Sequence, residues 1–554
     1  MKHYTIGIDF GSLSGRAVIM DVESGEVCAS SVYEYPHGVM SEQLPDGTPL
    51  PVHTALQDPH DYIEVLRYTI PESLQKAGIS PDAVVGLGID FTACTMLPLD
   101  SDMHPLCEHE AYRSEPHAYV KLWKHHAAQP DADLLNRVAK EKGEPWLQSY
   151  GGRISSEWMF PKILQIAREA PAVYQSTARF MEAADWISFV LTGQETHSAP
   201  FAGYKALWNE LDGYPSNSFF EAVDPQFENL IGTKFSDQVH AIGASAGVLC
   251  ADAAEMTGLP VGISVSIPQL DAHASMPALG IAQEGVLMMI IGTSGVQLVH
   301  SKEKKTVSGI CGYMKDGVIP GLYTYEAGQA CCGDHFDWFV KNGVPAAYRD
   351  DATKQGMGIH QYLRQKAQAL RPGESGLIAL DWFNGNRSVL NDGSLQGGII
   401  GMTLRTKPEE IYRALIEGTA YGARMILENF VKNGIRVDRI VASGGIAEKD
   451  EMLIQIYADV LNRPITVSDS RMSASCGSAI YASVAAGIYP DIVSAVDALS
   501  VRTGKSYLPI PKNVALYNRL YEEYQILHDY FGKGGNDVMK RLEAIRKSNE
   551  IGIF

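Results

Sequence analysis

The sequence predicts an α/β fold in two similar halves, and three observations carry that prediction. Two apolar runs joined by a small polar turn open the chain, the same pattern recurs past its middle, and strand-like runs alternate with helical ones in between. The opening stretch, YTIGIDFGSLSGRAVIMDV, holds Asp9, Gly11, Ser12, Ser14, Gly15 and Arg16 in its polar connection and reads as a hairpin, not as a strand entering a helix. It matches neither the GxGxxG dinucleotide loop nor the GxxxxGK phosphate loop. A hairpin turn can hold phosphate oxygens on its backbone amides; an ordinary surface hairpin is the competing reading.

The echo is GVLMMIIGTSGVQLVHS, with Gly292, Thr293, Ser294 and Gly295 in its turn. Downstream of the two hairpins lie further strands: VVGLGIDFTACTML in the first half, LYTYEAG and RIVASGGIAEKD in the second. The tetrapeptide Gly7, Ile8, Asp9, Phe10 recurs as Gly88, Ile89, Asp90, Phe91, a coincidence short enough for chance. The clearest helix runs from Pro408 towards Gly434, with Ile411, Leu415, Ala423, Ile426, Leu427 and Phe430 at near-helical spacing. A second, KDEMLIQIYADVLNRP, stops at Pro464 and is followed by the strand ITVS. The simplest layout is two α/β domains facing a cleft.

Domain limits follow. A length of 554 residues exceeds what one core supports. The halves meet near Pro268, where a strand gives way to a Pro-flanked turn and a small-residue helix, so 1–268 and 269–512 are the expected domains. The stretch from about residue 100 to 250 reads as a helical or mixed insertion in the first. Residues 513–554 begin with an amphipathic helix that covers the second. VRTGKSYLP contains Gly504, Lys505 and Ser506, but Leu499 stands where a phosphate loop needs its first Gly, and the stretch reads as a loop before Pro509.

Composition narrows the partners. A formal net charge of -19 opposes association with nucleic acid and with anionic membranes, leaving a small molecule as the expected partner. Any polyanion must then be held locally, by amides, a metal and a few cations. No apolar leader precedes the first strand and the longest apolar run, VLMMII, is far too short to span a bilayer, so a soluble, cytoplasmic protein is expected. The 8 Cys show no CxxC pair and the 16 His no HExxH, which indicates neither a disulfide framework nor zinc. His125 and His126 follow Trp123 and Lys124 in what reads as a solvated helix.

With these residues in view, a family resemblance emerges. The loop of Asp9, Gly11, Ser12 and Arg16, the turn of Gly292, Thr293 and Ser294, and the late pair Gly444 and Gly445 resemble the nucleotide-contacting segments of the actin-like (ribonuclease H-like) ATPase superfamily. Within it, GGIIGMTLRTKPEEIYRALIEGTAY and EWMFPKILQI, with Lys162, resemble the two signatures of the FGGY carbohydrate kinases. SYGGRISSEWMFPKIL, EAADWISFVLTG and AGYKALWN are similar to the branch of that family that phosphorylates L-ribulose, and the similarity runs from about Thr5 to Tyr507. The resemblance implies transfer of the γ-phosphoryl group of ATP, with Mg²⁺, to the 5-hydroxyl of L-ribulose in L-arabinose catabolism, with a homodimer as a candidate assembly.

The resemblance also implies roles. Asp271 in QLDAHA matches the general base at the mouth of the cleft and one of the sugar contacts; the bland alternative is a cap on the helix starting at Ala272. Asp9 matches the position that organises Mg²⁺, usually through water, or else stabilises its turn. Gly11, Ser12, Gly292 and Thr293 would hold phosphates, and Arg16 either assists or pairs with a carboxylate. Gly444 and Gly445 would let the backbone approach the adenosine. Lys449 stands where relatives often carry Asn. For the sugar, the matching residues are Ala93, Lys205, Asp271 and Glu326; a cationic donor and a carboxylate acceptor can read a ketose's hydroxyl pattern, whereas a surface Lys and an exposed strand-end Glu are the plain alternatives. A kinase for another ketose or polyol, or a non-catalytic ATP-binding relative, are the other functions the pattern allows.

Overall fold

A computed structural model describes residues 2–470 and 472–550. Packing divides the chain into two units, one formed by Met1–Ala282, Tyr313–Thr324 and Met472–Arg502, the other by Gln283–Gly312, Tyr325–Arg471 and Thr503–Phe554. The break expected near Pro268 therefore falls after Ala282. Moreover, two later segments, Tyr313–Thr324 and Met472–Arg502, return to the first unit.

In the first unit the strands are β1 (Tyr4–Phe10), β2 (Ser14–Asp21), β3 (Val27–Glu34), β4 (Leu56–Gln57), β5 (Val84–Phe91), β6 (Met96–Leu99), β7 (Val120–Lys121), β8 (Arg179–Glu182), β9 (Ser245–Val248), β10 (Ser264–Ser266) and β11 (Gln269–Leu270). The main sheet runs β9-β10-β5-β1-β2-β3, and β11 also pairs with β5. β1 and β2 form the predicted hairpin, while β5 lies parallel to β1. The recurring tetrapeptide is explained by that pairing: Gly7 faces Gly88, Ile8 faces Ile89, Asp9 faces Asp90 and Phe10 faces Phe91. Residues paired in a parallel ladder share a face, so both strands present the same chemistry on each side. On one side Phe10 stacks on Phe91 at 4.8 Å, with Tyr62 edge-on to Phe91 at 4.9 Å. On the other side Gly7 and Gly88 meet the helix Ser473–Ala485, where a Cβ would lie 1.8 Å from the Ser475 carbonyl oxygen and 1.9 Å from that of Ser478, respectively.

A smaller antiparallel sheet, β4-β7-β6-β8, ties the segment 100–250 to the earlier chain, from which it takes β4 and β6, and β9 joins the main sheet. The stretch around His125 is not a solvated helix. It is irregular, and His125 is buried because its Nδ1 accepts the Ala55 amide at 3.3 Å and its Nε2 meets Gln165 Oε1 at 2.8 Å. Burial holds the ring well below its ordinary pKa.

His197, also buried, behaves oppositely. Burial alone would lower its pKa, but contacts to Asp185 and Glu195 outweigh that and hold it up at about 9. A histidine whose folded pKa lies above its unfolded one contributes stability fully below about pH 6.5, and that contribution disappears as pH rises through 9. Unfolding free energy measured from pH 6 to 10 is expected to fall by roughly 3 kcal/mol from this group, a slope that His197→Gln should abolish.

In the second unit, β12 (Gly285–Ile291) and β13 (Gly295–Ser301) form the second predicted hairpin, and β14 (Tyr323–Gln329), β15 (Val437–Ser443), β16 (Ile465–Ser468) and β17 (Gly504–Tyr507) extend the sheet in the order β14-β13-β12-β15-β16-β17. The stretch read as a loop around Lys505 is thus the strand β17, antiparallel to β16, with Thr466 and Ser506 hydroxyls 3.0 Å apart across the pair. The long predicted helix spans Pro408–Lys432 and buries Leu415, Ala423, Ile426, Leu427 and Phe430. The helix Pro511–Gly532 packs in the same unit: Tyr517 and Arg413, both buried, share Glu417 Oε1 at 2.9 and 2.8 Å. Among the described residues no helix is long and apolar enough to cross a membrane.

Candidate active site

Three carboxyls of the first unit stand at the C-terminal ends of three adjacent parallel strands. Asp9 is the penultimate residue of β1, Asp90 of β5, and Asp271 directly follows β11, whose Gln269 pairs with Asp90. Burial pushes Asp9 upward, against a hydrogen bond from Asp90 and the charge of Arg16. Burial also pushes Asp90 well above the carboxylate range, reinforced by the negative charges of Asp9 and Asp271. Asp90 Oδ2 accepts the Ser478 hydroxyl at 2.6 Å. Arg16 lies directly across the hairpin from Asp9, near enough for its charge to act on that carboxyl.

Asp271 opens the helix Asp271–Ala278, and its Oδ1 accepts the Ala272 amide at 2.6 Å. A carboxylate in a first helical turn is stabilised by the helix dipole. Gly11 and Ser12 sit in the four-residue turn closed by the Gly11 amide on the Ser14 carbonyl at 3.0 Å. Ala93 lies in the loop leaving β5, beside Cys94, a residue with φ of 57° whose carbonyl accepts from the buried ammonium of Lys162 at 2.5 Å. Lys205 ends the helix Ala199–Lys205 at 6% exposure, so it is no snorkelling surface lysine; its ammonium lies 5.5 Å from the centre of the Trp158 ring. Its charge reaches Cys94 and the buried Glu182.

In the second unit the turn Gly292–Ser294 is set by two carbonyls: that of Thr293 accepts the Cys332 amide at 2.8 Å and that of Gly292 the Gly333 amide at 2.9 Å. Gly444, at the end of β15, has φ of 102°, and a Cβ there would lie 2.7 Å from the Ile291 carbonyl oxygen, so only glycine lets this turn lie against the first. Gly445 starts a short helix, Gly445–Lys449. Lys449 is exposed at its end, and its carbonyl accepts from Arg364 at 3.1 Å. Glu326 is not at a strand end as expected. It lies mid-strand in β14, its carbonyl taking the Cys311 amide at 2.9 Å.

Sequence reasoning passed over Asp90, although the recurring GIDF was its signal: two identical strands in parallel register put identical side chains side by side. It also missed Trp123 and Gln57, which hold Ser12 through contacts that no local pattern encodes.

Known proteins are similar along the whole chain. Residues 4–278 match the N-terminal domain, and residues 287–486 the C-terminal domain, of the FGGY family of carbohydrate kinases. The chain is 51% identical over 547 residues, 98% of its own length and 97% of the relative's, to a protein of Geobacillus thermodenitrificans named Ribulokinase. It is 46% identical over 551 residues, 99% of its length and 97% of the relative's, to one of the same name from Mycolicibacterium smegmatis. Gluconate kinase from Lactobacillus acidophilus superposes with a TM-score of 0.80 at 19% identity over 96% of this chain and 99% of that one, and xylulose kinase from Rhodospirillum rubrum with 0.77 at 23% over 95% and 98%; at such identities these show the fold alone. With both domain models matched in order and relatives half identical from end to end, the chain belongs to the FGGY family of carbohydrate kinases.

Proposed function

We propose that this chain transfers the γ-phosphoryl group of ATP to the 5-hydroxyl of L-ribulose, in the catabolism of L-arabinose. The observation that carries this reading is the 46–51% identity across nearly the full length to relatives named Ribulokinase; the neighbouring carboxyls of Asp9, Asp90 and Asp271 support it.

Phosphoryl transfer asks the protein to align two oxygens, balance charge and accept one proton. Asp271 accepts the proton of the attacking hydroxyl from its place at the start of the helix Asp271–Ala278. Lys205 donates to the sugar, with Ala93, Asp271 and Glu326 completing the contacts. Gly11, Ser12, Gly292 and Thr293 bind phosphate oxygens through amides and hydroxyls. Gly444 and Gly445 take the adenosine, with Lys449 alongside. The carboxyls at Asp9 and Asp90 are all-oxygen donors side by side in the ladder, the chemistry that suits a hard divalent cation; burial raises both, and the charge of Asp9 raises Asp90 further. Asp9 would hold Mg²⁺, through water; when bound, the ion neutralises phosphate charge. The partner is a small sugar, the compartment the cytoplasm, and a homodimer the proposed assembly.

The test is a panel of ketopentoses, pentitols and glycerol with ATP and Mg²⁺, read by coupled ADP release and by product identification. L-Ribulose is expected to give the highest kcat/KM with phosphate on O5. ADP release indifferent to every sugar, or a preference for xylulose or glycerol, would overturn the proposal.

A further inference from the structure

Within the second unit, the turn Gly292–Ser294 rests on a segment that one buried carboxyl ties to the C-terminal helix. Asp381 directly follows the strand Ile378–Leu380, and both its oxygens are taken: Oδ1 accepts the Tyr524 hydroxyl at 2.7 Å and Oδ2 the Gln329 side-chain amide at 2.8 Å. The same Gln329 nitrogen donates to the Thr419 carbonyl at 2.9 Å, and Asp381, Gln329 and Tyr524 are all buried. Burial pushes Asp381 up to about 6, and the two donors pull against it. The helix Pro408–Lys432 makes room at Gly422, where a Cβ would lie 2.4 Å from Asp381 Oδ2 and 2.6 Å from Gln329 Nε2. Gln329 ends β14, just before the residues that grip the turn: the amides of Cys332 and Gly333 both donate to the Thr293 carbonyl, at 2.8 and 3.0 Å. Where β13 leaves the turn at Gly295, a Cβ would lie 3.0 Å from Cys332 Sγ and 3.5 Å from Gln329 Oε1, so Gln329 also packs against the turn's exit. Tyr524 belongs to the helix Pro511–Gly532, which lies past residue 486, where the match to the C-terminal domain ends.

We infer that Asp381 is a positioning residue of the nucleotide site: it clamps Gln329 on one side and Tyr524 of the C-terminal helix on the other, and so fixes the Gly292–Ser294 turn for the phosphates of ATP. The inference rests on the proposed assignment of that turn. Its physical basis is that amides bind an anion well only when they are held in place before it arrives, and a buried carboxyl with two donors is a stiff anchor. The plain alternative is that the trio only fastens the C-terminal helix. That helix has other fastenings, Tyr517 on Glu417 at 2.9 Å and Tyr521 on Glu428 at 3.0 Å, so removing one hydroxyl separates the two readings. Tyr524→Phe keeps the ring and removes that hydroxyl; Gln329→Met keeps the reach of the side chain and removes its amide.

Calorimetric affinity for ATP with Mg²⁺, KM for the ketopentose and Tm should be measured for the wild type, both single variants and the double variant. ATP is expected to bind ~3-fold more weakly to Tyr524→Phe and ~10-fold more weakly to Gln329→Met, the order of one hydrogen bond to a charged group. KM for the ketopentose should stay within about 2-fold of wild type, and the Tm of Tyr524→Phe within a few degrees of it. The double variant should bind ATP no more weakly than Gln329→Met by more than about 2-fold, because both changes cut one chain of contacts. Wild-type ATP affinity in Tyr524→Phe, an equal rise in the ketopentose KM, or losses that multiply in the double variant would overturn the inference. Should Gln329→Met fail to fold, Tyr524→Phe alone decides. A wild-type chain that phosphorylates no ketopentose overturns the proposed function, whereas an unmoved ATP affinity in Tyr524→Phe, beside a wild type that does phosphorylate it, overturns this inference alone.

Discussion

Asp271→Asn is expected to lower kcat by ~100- to 10,000-fold, the usual range for losing a positioned general base, while ketopentose and ATP still bind. The substitution discriminates because Asn serves a helix N-terminus about as well as Asp. The Ala272 amide that now meets Asp271 Oδ1 at 2.6 Å keeps an acceptor in Asn. If Asp271 did no more than hold the start of its helix, the variant would keep its rate and its melting temperature together. If it takes the hydroxyl proton, the rate collapses and the fold does not, since a neutral amide cannot accept that proton. Calorimetric binding of each ligand, a melt and a turnover assay on the same preparation decide the matter. The variant should also ease the crowding on Asp90, because one of the negative charges that raise it is gone.

The largest loss of stability is expected from Gly477→Ala. Alanine in place of glycine inside a helix normally gains up to about 1 kcal/mol. Here a Cβ would lie 1.6 Å from the Ala274 carbonyl oxygen, and a backbone atom of a packed helix cannot swing aside as a flexible side chain can. Overpacking a tight contact costs typically 1–3 kcal/mol, and with backbone on both sides the net loss should reach about 3 kcal/mol or more. Ala274 lies on the helix that Asp271 opens, so any movement that relieves the clash also displaces the carboxylate. A lower Tm together with a lower kcat is the expected result. A variant as stable and as fast as the parent would show that the two helices separate freely.

The contrast between Asp271 and Gly477 marks how far reading by pattern extends. Both hairpins, the long helix from Pro408 and the helix beginning at Asp271 were legible, because turn chemistry, hydrophobic period and motif all act over a few residues. The family itself was legible for the same reason. Less accessible was the return of Met472–Arg502 to the first unit, which placed Gly477 against Ala274 and Ser478 against Asp90. SASCGSAIYASVA announces a helix with small residues; which strands its small face meets depends on a second surface far earlier in the chain, at Gly7 and Gly88.

By itself, then, the sequence determined the two hairpins, the long helix and the family, and it supplied the side chains proposed for the chemistry. Only the tertiary structure decided that Asp90 stands beside Asp9, that His125 is buried, that Lys505 belongs to a strand and that Trp123 reaches Ser12. The reason is physical: period and turn preference are properties of neighbouring residues, whereas partners across the fold are chosen by which buried faces fit, and that fit exists only once the chain has closed on itself.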